Sequence, residues 1–283
     1  MDTVEKKILE GAIDTHVHFG PDTPEPRRFD AFETAALAEK AGMRAIVLKN
    51  HSFMTAALAS CTEKRMEHLK VFGGICLDKQ AGGLCPEAVE FCADLGGKVV
   101  WMPTFTAKHD IEKRGMTGDG IYILDKDNKL KAEVQEIIEI MKERDLVLAT
   151  GHLSFNEIRV LAVEGRRKGL EKIVVTHPCT QRVGPTLDLD QQKELVELGC
   201  YMEHCFVSVM PMHCRFSPQV FVDAIRYVGA DRCIMASDFG QTHNPEPPEG
   251  LRMFAVSMLK LGITEQEIDL MIRKNPATLL GLD

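Results

Sequence analysis

The stretch Asp14-Thr15-His16-Val17-His18 closes a short apolar run near the N-terminus and sets the pattern for the rest of the chain. Alternate residues of a strand share a face. His16 and His18 therefore point to the same side and can bind one cation. Four later apolar, β-rich runs end at His51, His152, His177 and Asp238. Imidazole and carboxylate groups at the ends of several parallel strands predict a converging ligand set for a zinc-like metal.

Strand-like and helix-like segments alternate along all 283 residues. Strands are predicted near 12–18, 44–49, 71–77, 98–103, 146–150, 172–176, 200–206 and 232–236. Helical patterns are predicted at 32–41, 55–69, 86–95, 131–143, 154–168, 189–198, 217–228 and 249–261. Eight β-then-α units predict an α/β fold, a single (β/α)8 TIM barrel, which typically needs about 250 residues. An extra C-terminal helix is expected after 264–273, starting at Asn275-Pro276. We expect one barrel domain over residues 1–283.

Composition narrows the class of partner. The formal net charge is -8, and no long basic run is present, which argues against nucleic acid. The first ten residues carry no apolar signal region, and no apolar run approaches the roughly 18 residues of a membrane helix. Nine cysteines without a C-x-x-C pair are typical of reduced thiols. We therefore expect a cytoplasmic protein that acts on a small molecule, away from membranes, and homo-oligomerisation is left open.

One connection is unusually long. Residues 104–130 separate the fourth strand from its helix, and Gly115, Gly118 and Gly120 loosen the segment. Residues 121–131 could form a small hairpin. Long insertions at the C-terminal face of such a barrel are often lids, and an ordinary surface flap is the alternative.

The histidines are concentrated at one end of the predicted strands. Nine of the ten fall at strand C-terminal ends or in the following loops, and only His68 falls on a predicted helix. The nine are His16, His18, His51, His109, His152, His177, His204, His213 and His243. Active sites of barrels of this kind lie on that face, so this distribution indicates a catalytic centre there.

These residues resemble the metal-dependent amidohydrolase superfamily. The matching pieces are Asp14–His18 on strand one, Thr150-Gly151-His152 after strand five, Val175–Pro178 after strand six and Ala236–Asp238 after strand eight. The tail Asn275–Leu282 is similar to the closing helix of that family. The resemblance spans the whole chain.

The resemblance implies a mononuclear or binuclear metal centre at the mouth of the barrel. By analogy, His16, His18 and Asp238 hold one divalent ion, and His152 and His177 hold a second. Zinc is the expected metal, with manganese, iron, nickel or cobalt as alternatives. The family implies that a metal-activated water attacks the substrate, and that Asp238 takes its proton and passes it to the leaving group.

The sequence departs from the best-known pattern at one position. Many binuclear members carry a carboxylated lysine at the end of strand four, and none stands there in this chain. Strand two instead ends Leu48-Lys49-Asn50-His51, so Lys49 and His51 share a face. Lys49 is predicted as a catalytic residue and metal ligand, carboxylated or acting as a substrate-binding cation, with a structural ion pair as the alternative. His51 is predicted as a catalytic residue that ligates metal, donates to substrate or orients a ligand.

Substrate contacts are expected from His51, His109 and His204. The loop arginines Arg27, Arg28, Arg182 and Arg215 would suit an acidic or phosphorylated substrate. No G-x-S-x-G, Walker A or dinucleotide fingerprint is present.

The leading hypothesis is a metal-dependent hydrolase of a small-molecule ester, lactone, amide or phosphoester. An amidohydrolase-like decarboxylase or isomerase uses a similar ligand set and remains an alternative. A phosphoesterase of the histidinol-phosphatase kind is a third hypothesis, although eight βα units argue against its shorter barrel. A non-catalytic binding protein is disfavoured because structural zinc sites are usually closed by four protein ligands.

Overall fold

The computed structural model describes residues 7–23 and 25–282. Among them, nine parallel strands alternate with helices. The strands are β1 (Ile13–His18), β2 (Ala45–Lys49), β3 (Lys70–Phe72), β4 (Gly74–Cys76), β5 (Val99–Trp101), β6 (Val147–Ala149), β7 (Ile173–Thr176), β8 (Tyr201–Cys205) and β9 (Cys233–Ala236).

The helices form a layer outside the strands. They are α1 (Ala31–Lys40), α2 (Ala56–Glu63), α3 (Pro86–Asp94), α4 (Lys108–Lys113), α5 (Ala132–Glu143), α6 (Phe155–Lys168), α7 (Leu189–Glu197), α8 (Gln219–Val228), α9 (Pro247–Lys260), α10 (Glu265–Asp269) and α11 (Asn275–Leu280). Short 3₁₀ turns cover Lys79–Ala81, Phe206–Val209 and Ala230–Arg232, and a π-helical segment covers Leu270–Lys274.

The strands follow one another in sequence order around a barrel. Hydrogen-bonded ladders run β1-β2-β3 and β4-β5-β6-β7-β8-β9. β3 and β4 are two halves of one strand position, separated only by Gly73, whose carbonyl accepts from the Lys98 backbone at 2.8 Å. Beyond β9, the Asp238 amide donates to the His16 carbonyl at 2.9 Å, and the His18 amide donates to Phe239 at 2.8 Å. These bonds join the last strand position to the first, and the predicted (β/α)8 barrel fold is confirmed.

The C-terminal helix closes the far end of the barrel. Leu279 and Leu280 of α11 pack in one buried cluster with the inward-facing residues Ile13, Trp101 and Ile234 of the strands. Asn275, at the start of this helix, donates from Nδ2 to the carbonyl of Cys233 at 2.7 Å. The extra C-terminal helix predicted from the sequence is confirmed, and it covers the end of the barrel opposite to the strand C-terminal ends.

Three local predictions need correction. The predicted helix 55–69 ends at Glu63, so His68 lies in the loop before β3, not on a helix. The insertion after β5 contains the unpredicted helix α4, which carries His109. Its hairpin is reduced to one antiparallel bridge between Leu124 and Leu130.

All nine cysteines are free, and six of them are buried as small apolar side chains. No helix in the described ranges is long and apolar enough to cross a membrane.

Candidate active site

Two histidines of β1 converge with an aspartate that follows β9. Nε2 of His16 lies 3.2 Å from Oδ1 of Asp238, and Nε2 of His18 lies 3.0 Å from the same oxygen. Nε2 of His177, after β7, is 3.6 Å from the other oxygen, Oδ2. The strand pleat explains this convergence, because His16 and His18 are two residues apart and face the barrel axis together.

The protonation states of His16, His18 and His177 favour the binding of a cation. Burial lowers the pKa of His16, His18 and His177 well below the ordinary histidine value, so the rings are neutral near pH 7. Neutral imidazole nitrogens and a carboxylate oxygen are zinc-type ligands. With bonds of about 2.0–2.1 Å, tetrahedral ligands lie roughly 3.4 Å apart. The ligand atoms of His16, His18 and Asp238 all lie within 4.8 Å of one another, and the two distances to Asp238 Oδ1 are 3.2 and 3.0 Å. These three residues therefore offer a donor set that fits one divalent metal ion.

Glu203 of β8 fixes the orientation of the His16 ring. Its Oε2 lies 3.0 Å from Nδ1 of His16, and its Oε1 accepts from the Thr15 hydroxyl at 2.8 Å. Burial raises the pKa of Glu203 to about 7, and once Glu203 is ionised Nδ1 of His16 donates to it, so that the lone pair of Nε2 faces Asp238. Carboxylate partners of this kind hold the tautomer and raise the basicity of metal-binding histidines.

Two further histidines are oriented in the same way. Nδ1 of His152, between β6 and α6, lies 3.1 Å from Oδ1 of Asp110 in α4. Nδ1 of His51, after β2, lies 2.8 Å from the Thr104 hydroxyl and 3.6 Å from Oδ2 of Asp78. Both arrangements leave Nε2 free to face the cavity.

The charge state of Asp78 supports the His51 contact. Burial alone would raise the pKa of Asp78, but the nearby His51 ring and hydrogen bonds from the Thr104 and Thr106 hydroxyls lower it below its usual range. The carboxylate is therefore ionised at neutral pH. Burial lowers the pKa of His51 to about 4 despite the opposing effect of Asp78. The His51 ring is therefore neutral near pH 7, and its Nδ1 is hydrogen-bonded to the Thr104 hydroxyl.

Lys49 lies beside the histidines, at the end of β2. Its Nζ is 3.0 Å from Nε2 of His16 and 5.5 Å from the centre of the Trp101 ring. The side chain is fully buried. The structure therefore places Lys49 next to His16 and in the same cavity lining as His51. Carboxylation of Lys49 stays a prediction.

Two of the converging residues have unusual backbone conformations. His177 and Asp238 both have φ of 56°, in the left-handed region that non-glycine residues rarely adopt. Such conformations persist only where the surroundings enforce them, and they concentrate at functional sites. Gly151, beside His152, also has positive φ, and a Cβ there would lie 2.2 Å from the Met102 carbonyl. The turn that presents His152 therefore requires glycine.

Burial dominates the titration of Asp238. It raises the pKa of this carboxyl to about 8, while the charges of Lys49 and Arg27 act in the opposite direction. A bound cation would favour the ionised form further.

A cavity of about 970 Å³ lies at the open end of the barrel. His18, Lys49, His51, His152, His177 and Asp238 all contribute to its lining. The insertion after β5 supplies a wall through Phe105, Ile111, Arg114 and Met116. The insertion therefore shapes the cavity, as expected for a segment at this face.

The structure places two of the predicted substrate contacts away from the cavity lining. His204 is buried on the outer side of β8, where its ring lies 5.4 Å from Phe221 and its Nδ1 lies 3.8 Å from the Cys179 sulfur. Its neighbours Glu203 and Cys205 take the inward positions because successive side chains alternate. His109 is directed at the Gly184 carbonyl, 3.1 Å away, and lies outside the cavity lining.

The loop arginines divide into two groups. Arg27 and Arg182 line the cavity, whereas Arg28 and Arg215 do not. Arg28 instead donates to the Asn244 carbonyl at 3.1 Å. Arg114, which the sequence did not single out, also lines the cavity.

Two carboxylates beside the histidines, Asp78 and Asp110, were not predicted from the sequence. Asp78 follows Cys76 with strand parity just beyond β4, which was a readable signal. Asp110 lies on a short helix of the insertion, and nothing in its local pattern placed it against His152.

Comparison with known proteins supplies a family and a fold. Residues 11–203 match the model of DUF6282, a family of unknown function. No curated protein matches the chain. An amidohydrolase from Pseudomonas aeruginosa is similar in structure, with a TM-score of 0.64, 14% identity and coverage of 99% of this chain and 98% of that one.

Two further solved structures share the fold. The 2,6-dihydroxybenzoate decarboxylase from Rhizobium has a TM-score of 0.58 and 17% identity, covering 97% of this chain and 100% of its own. A protein from Pseudomonas putida described as a putative 2-pyrone-4,6-dicarboxylic acid hydrolase has a TM-score of 0.60 and 17% identity. The match covers 96% of this chain and 98% of that one. The predicted resemblance to the amidohydrolase superfamily is thus confirmed in the fold. The chain belongs to the DUF6282 family and has the barrel fold of the amidohydrolases and their relatives.

Proposed function

We propose that this protein is a metal-dependent hydrolase of a small-molecule ester, lactone, amide or phosphoester. The observation that carries the proposal is the convergence of His16 and His18 on Asp238, whose Oδ1 lies 3.2 Å and 3.0 Å from their Nε2 atoms, with His18 and Asp238 lining the cavity. Perturbed carboxylates and buried neutral histidines in a large cavity are typical of catalytic centres.

The metal would be held by His16, His18 and Asp238, with His177 beside Asp238 and His152 beside His177. The ring centres of His152 and His177 are 5.4 Å apart. A divalent cation would supply Lewis acidity and lower the pKa of water toward 7. Zinc is proposed because nitrogen and oxygen donors at these separations suit it, and manganese, iron, nickel and cobalt remain alternatives.

Asp238 is proposed as the proton carrier. Its carboxylate faces the cavity at the point where the histidines converge, and a neighbouring cation keeps it ionised. It can take a proton from the attacking water at an Oδ atom and return it to the leaving group. Lys49 and His51 lie within the same lining and can contact the substrate.

A decarboxylase is the second candidate, favoured by one observation. The Rhizobium 2,6-dihydroxybenzoate decarboxylase matches this chain over 97% of its length, as extensively as the hydrolases do. The histidines and Asp238 do not separate the two reactions. Parallel screens for acid release from esters and lactones and for CO₂ release from carboxylic acids would distinguish them.

The proposal is tested with Asp238→Asn. This variant keeps the side-chain shape and removes the base, so kcat on a hydrolysed substrate should fall by about 10²–10⁴-fold while much of the metal is retained. Both are measured on the same metal-loaded sample. A near-wild-type kcat would place the base elsewhere and contradict the role of Asp238, and catalysis that survives complete metal removal would contradict the proposed function.

A further inference from the structure

Arginines are concentrated around the cavity, although the whole molecule is acidic. The protein carries a formal net charge of -8. Yet three arginines of the described residues, Arg27, Arg114 and Arg182, line the cavity. A positive charge in a concave site attracts anionic ligands. An arginine of this lining that has no carboxylate partner would therefore favour an anionic ligand.

Most of these arginines are already neutralised by carboxylates. Arg27 pairs with Asp22 at 2.6 Å, and Arg114 pairs with Asp110 at 2.8 Å. Arg182 differs: its Nη1 donates to the Met212 carbonyl at 3.2 Å, and no carboxylate of the described ranges lies within 4.0 Å of its guanidinium. A guanidinium presents five donors in a planar fork, so Arg182 has unused donors at the mouth of the cavity.

A pair of histidines lies in the same lining. Nε2 of His213 and Nε2 of His243 are 3.2 Å apart. Burial, followed by the charges of His243, Arg182 and Arg27, lowers the pKa of His213 to about 4. The two nitrogens are within hydrogen-bond distance of each other, and Arg182 is close enough to act on His213. The histidine pair and Arg182 therefore lie together on one side of the cavity.

The loop that carries Arg182 is held in place by α4. Lys113 donates from Nζ to the Gly184 carbonyl at 2.8 Å, and His109 contacts the same carbonyl at 3.1 Å. Within the loop, the Thr186 hydroxyl donates to the Thr180 carbonyl at 2.6 Å. A loop fixed in this way loses little conformational freedom when a ligand binds.

We propose that Arg182, His213 and His243 form a carboxylate-binding subsite, so that the substrate is an acid with a carboxylate remote from the bond that reacts. One guanidinium without a carboxylate partner matches a single carboxylate, which accepts two parallel N–H bonds from the guanidinium fork. This proposal rests on the proposed function only for the end of the substrate that reacts. The metal cluster would hold that end, and the subsite would hold the other.

The test compares diacids with monoacids. Isothermal titration measures binding of the α,ω-dicarboxylates from malonate to adipate, and of the monocarboxylates of matching length, to metal-loaded protein. In the wild type, at least one diacid should bind about tenfold or more tightly than its monoacid. Arg182→Gln should remove that advantage, and Arg182→Lys should restore part of it. Arg215→Gln is the matched control, because it removes one charge from a nearby loop outside the lining.

The outcomes separate the two proposals. A diacid advantage that survives in Arg182→Gln, or is absent from the wild type at every length, would overturn the subsite. An equal loss in Arg215→Gln would also overturn it, since net charge alone would then explain the effect. Circular dichroism confirms that each variant is folded. A protein that binds no metal but keeps an Arg182-dependent diacid advantage would retain the subsite and refute only the hydrolase.

Discussion

Lys49 is the residue whose chemistry most needs explanation. A charged ammonium 3.0 Å from a histidine nitrogen that faces a divalent cation would be repelled by that cation. The conflict is resolved if Lys49 is carboxylated, which reverses its charge, or if it contacts the substrate from the edge of the cluster. Both roles require the side chain to be present.

Lys49→Ala should therefore lower kcat/KM by at least about tenfold, as expected when a single charged contact is lost. Added formate or acetate should restore part of the activity if a carbamate is the native group, and methylammonium should do so if the ammonium is. Steady-state kinetics with each additive gives the answer. A variant with wild-type activity would show that Lys49 serves only as a buried partner of Trp101.

Glu203 gives a pH-dependent prediction for the metal-free protein. Burial raises its pKa to about 7 from the ordinary 4.5. Between these values the unfolded chain has released the proton and the folded one still holds it, so stability falls as pH rises. Relative to Glu203→Gln, which cannot titrate, the wild type should lose about 2 kcal/mol of unfolding free energy between pH 5 and pH 7. Urea denaturation at both pH values measures this. A constant difference between the two proteins would contradict it.

The strands explain which site residues could be predicted. Parity in β1 and at the end of β2 places His16 with His18 and Lys49 with His51, and the order of strands brings all four together. The same rule, applied to β8, should have excluded His204 and selected Glu203. Asp110 could not be found this way, because its contact with His152 depends on how the insertion folds over the barrel.

The closing helix α11 gives a prediction about stability. Leu279 is 2% exposed and packs into the barrel interior. Leu279→Ala should cost about 2–5 kcal/mol, through lost burial and the cavity it leaves. Leu261→Ala, at a position 40% exposed, is the control and should change stability by less than about 0.5 kcal/mol. Chemical denaturation compares them, and equal effects would mean that α11 does not plug the barrel.

The whole molecule uses its fold to assemble one centre from distant segments. Residues as far apart as His16 and Asp238 meet because the barrel joins β1 to the segment after β9. The alternation of strand and helix patterns was enough to predict this architecture. The positions of the arginines and the paired carboxylates depended on loops, whose conformations follow from tertiary contacts and not from periodicity.

Metal content shows whether the two histidines of β1 bind a divalent cation. Elemental analysis should find at least one divalent transition metal per chain in the purified wild type. The double variant His16→Ala with His18→Ala should lose most of it while retaining its circular dichroism spectrum. The matched double variant His213→Ala with His243→Ala removes two histidines of the same cavity and should keep the metal. Full metal content in the His16 and His18 variant would contradict the assignment of these two histidines as metal ligands.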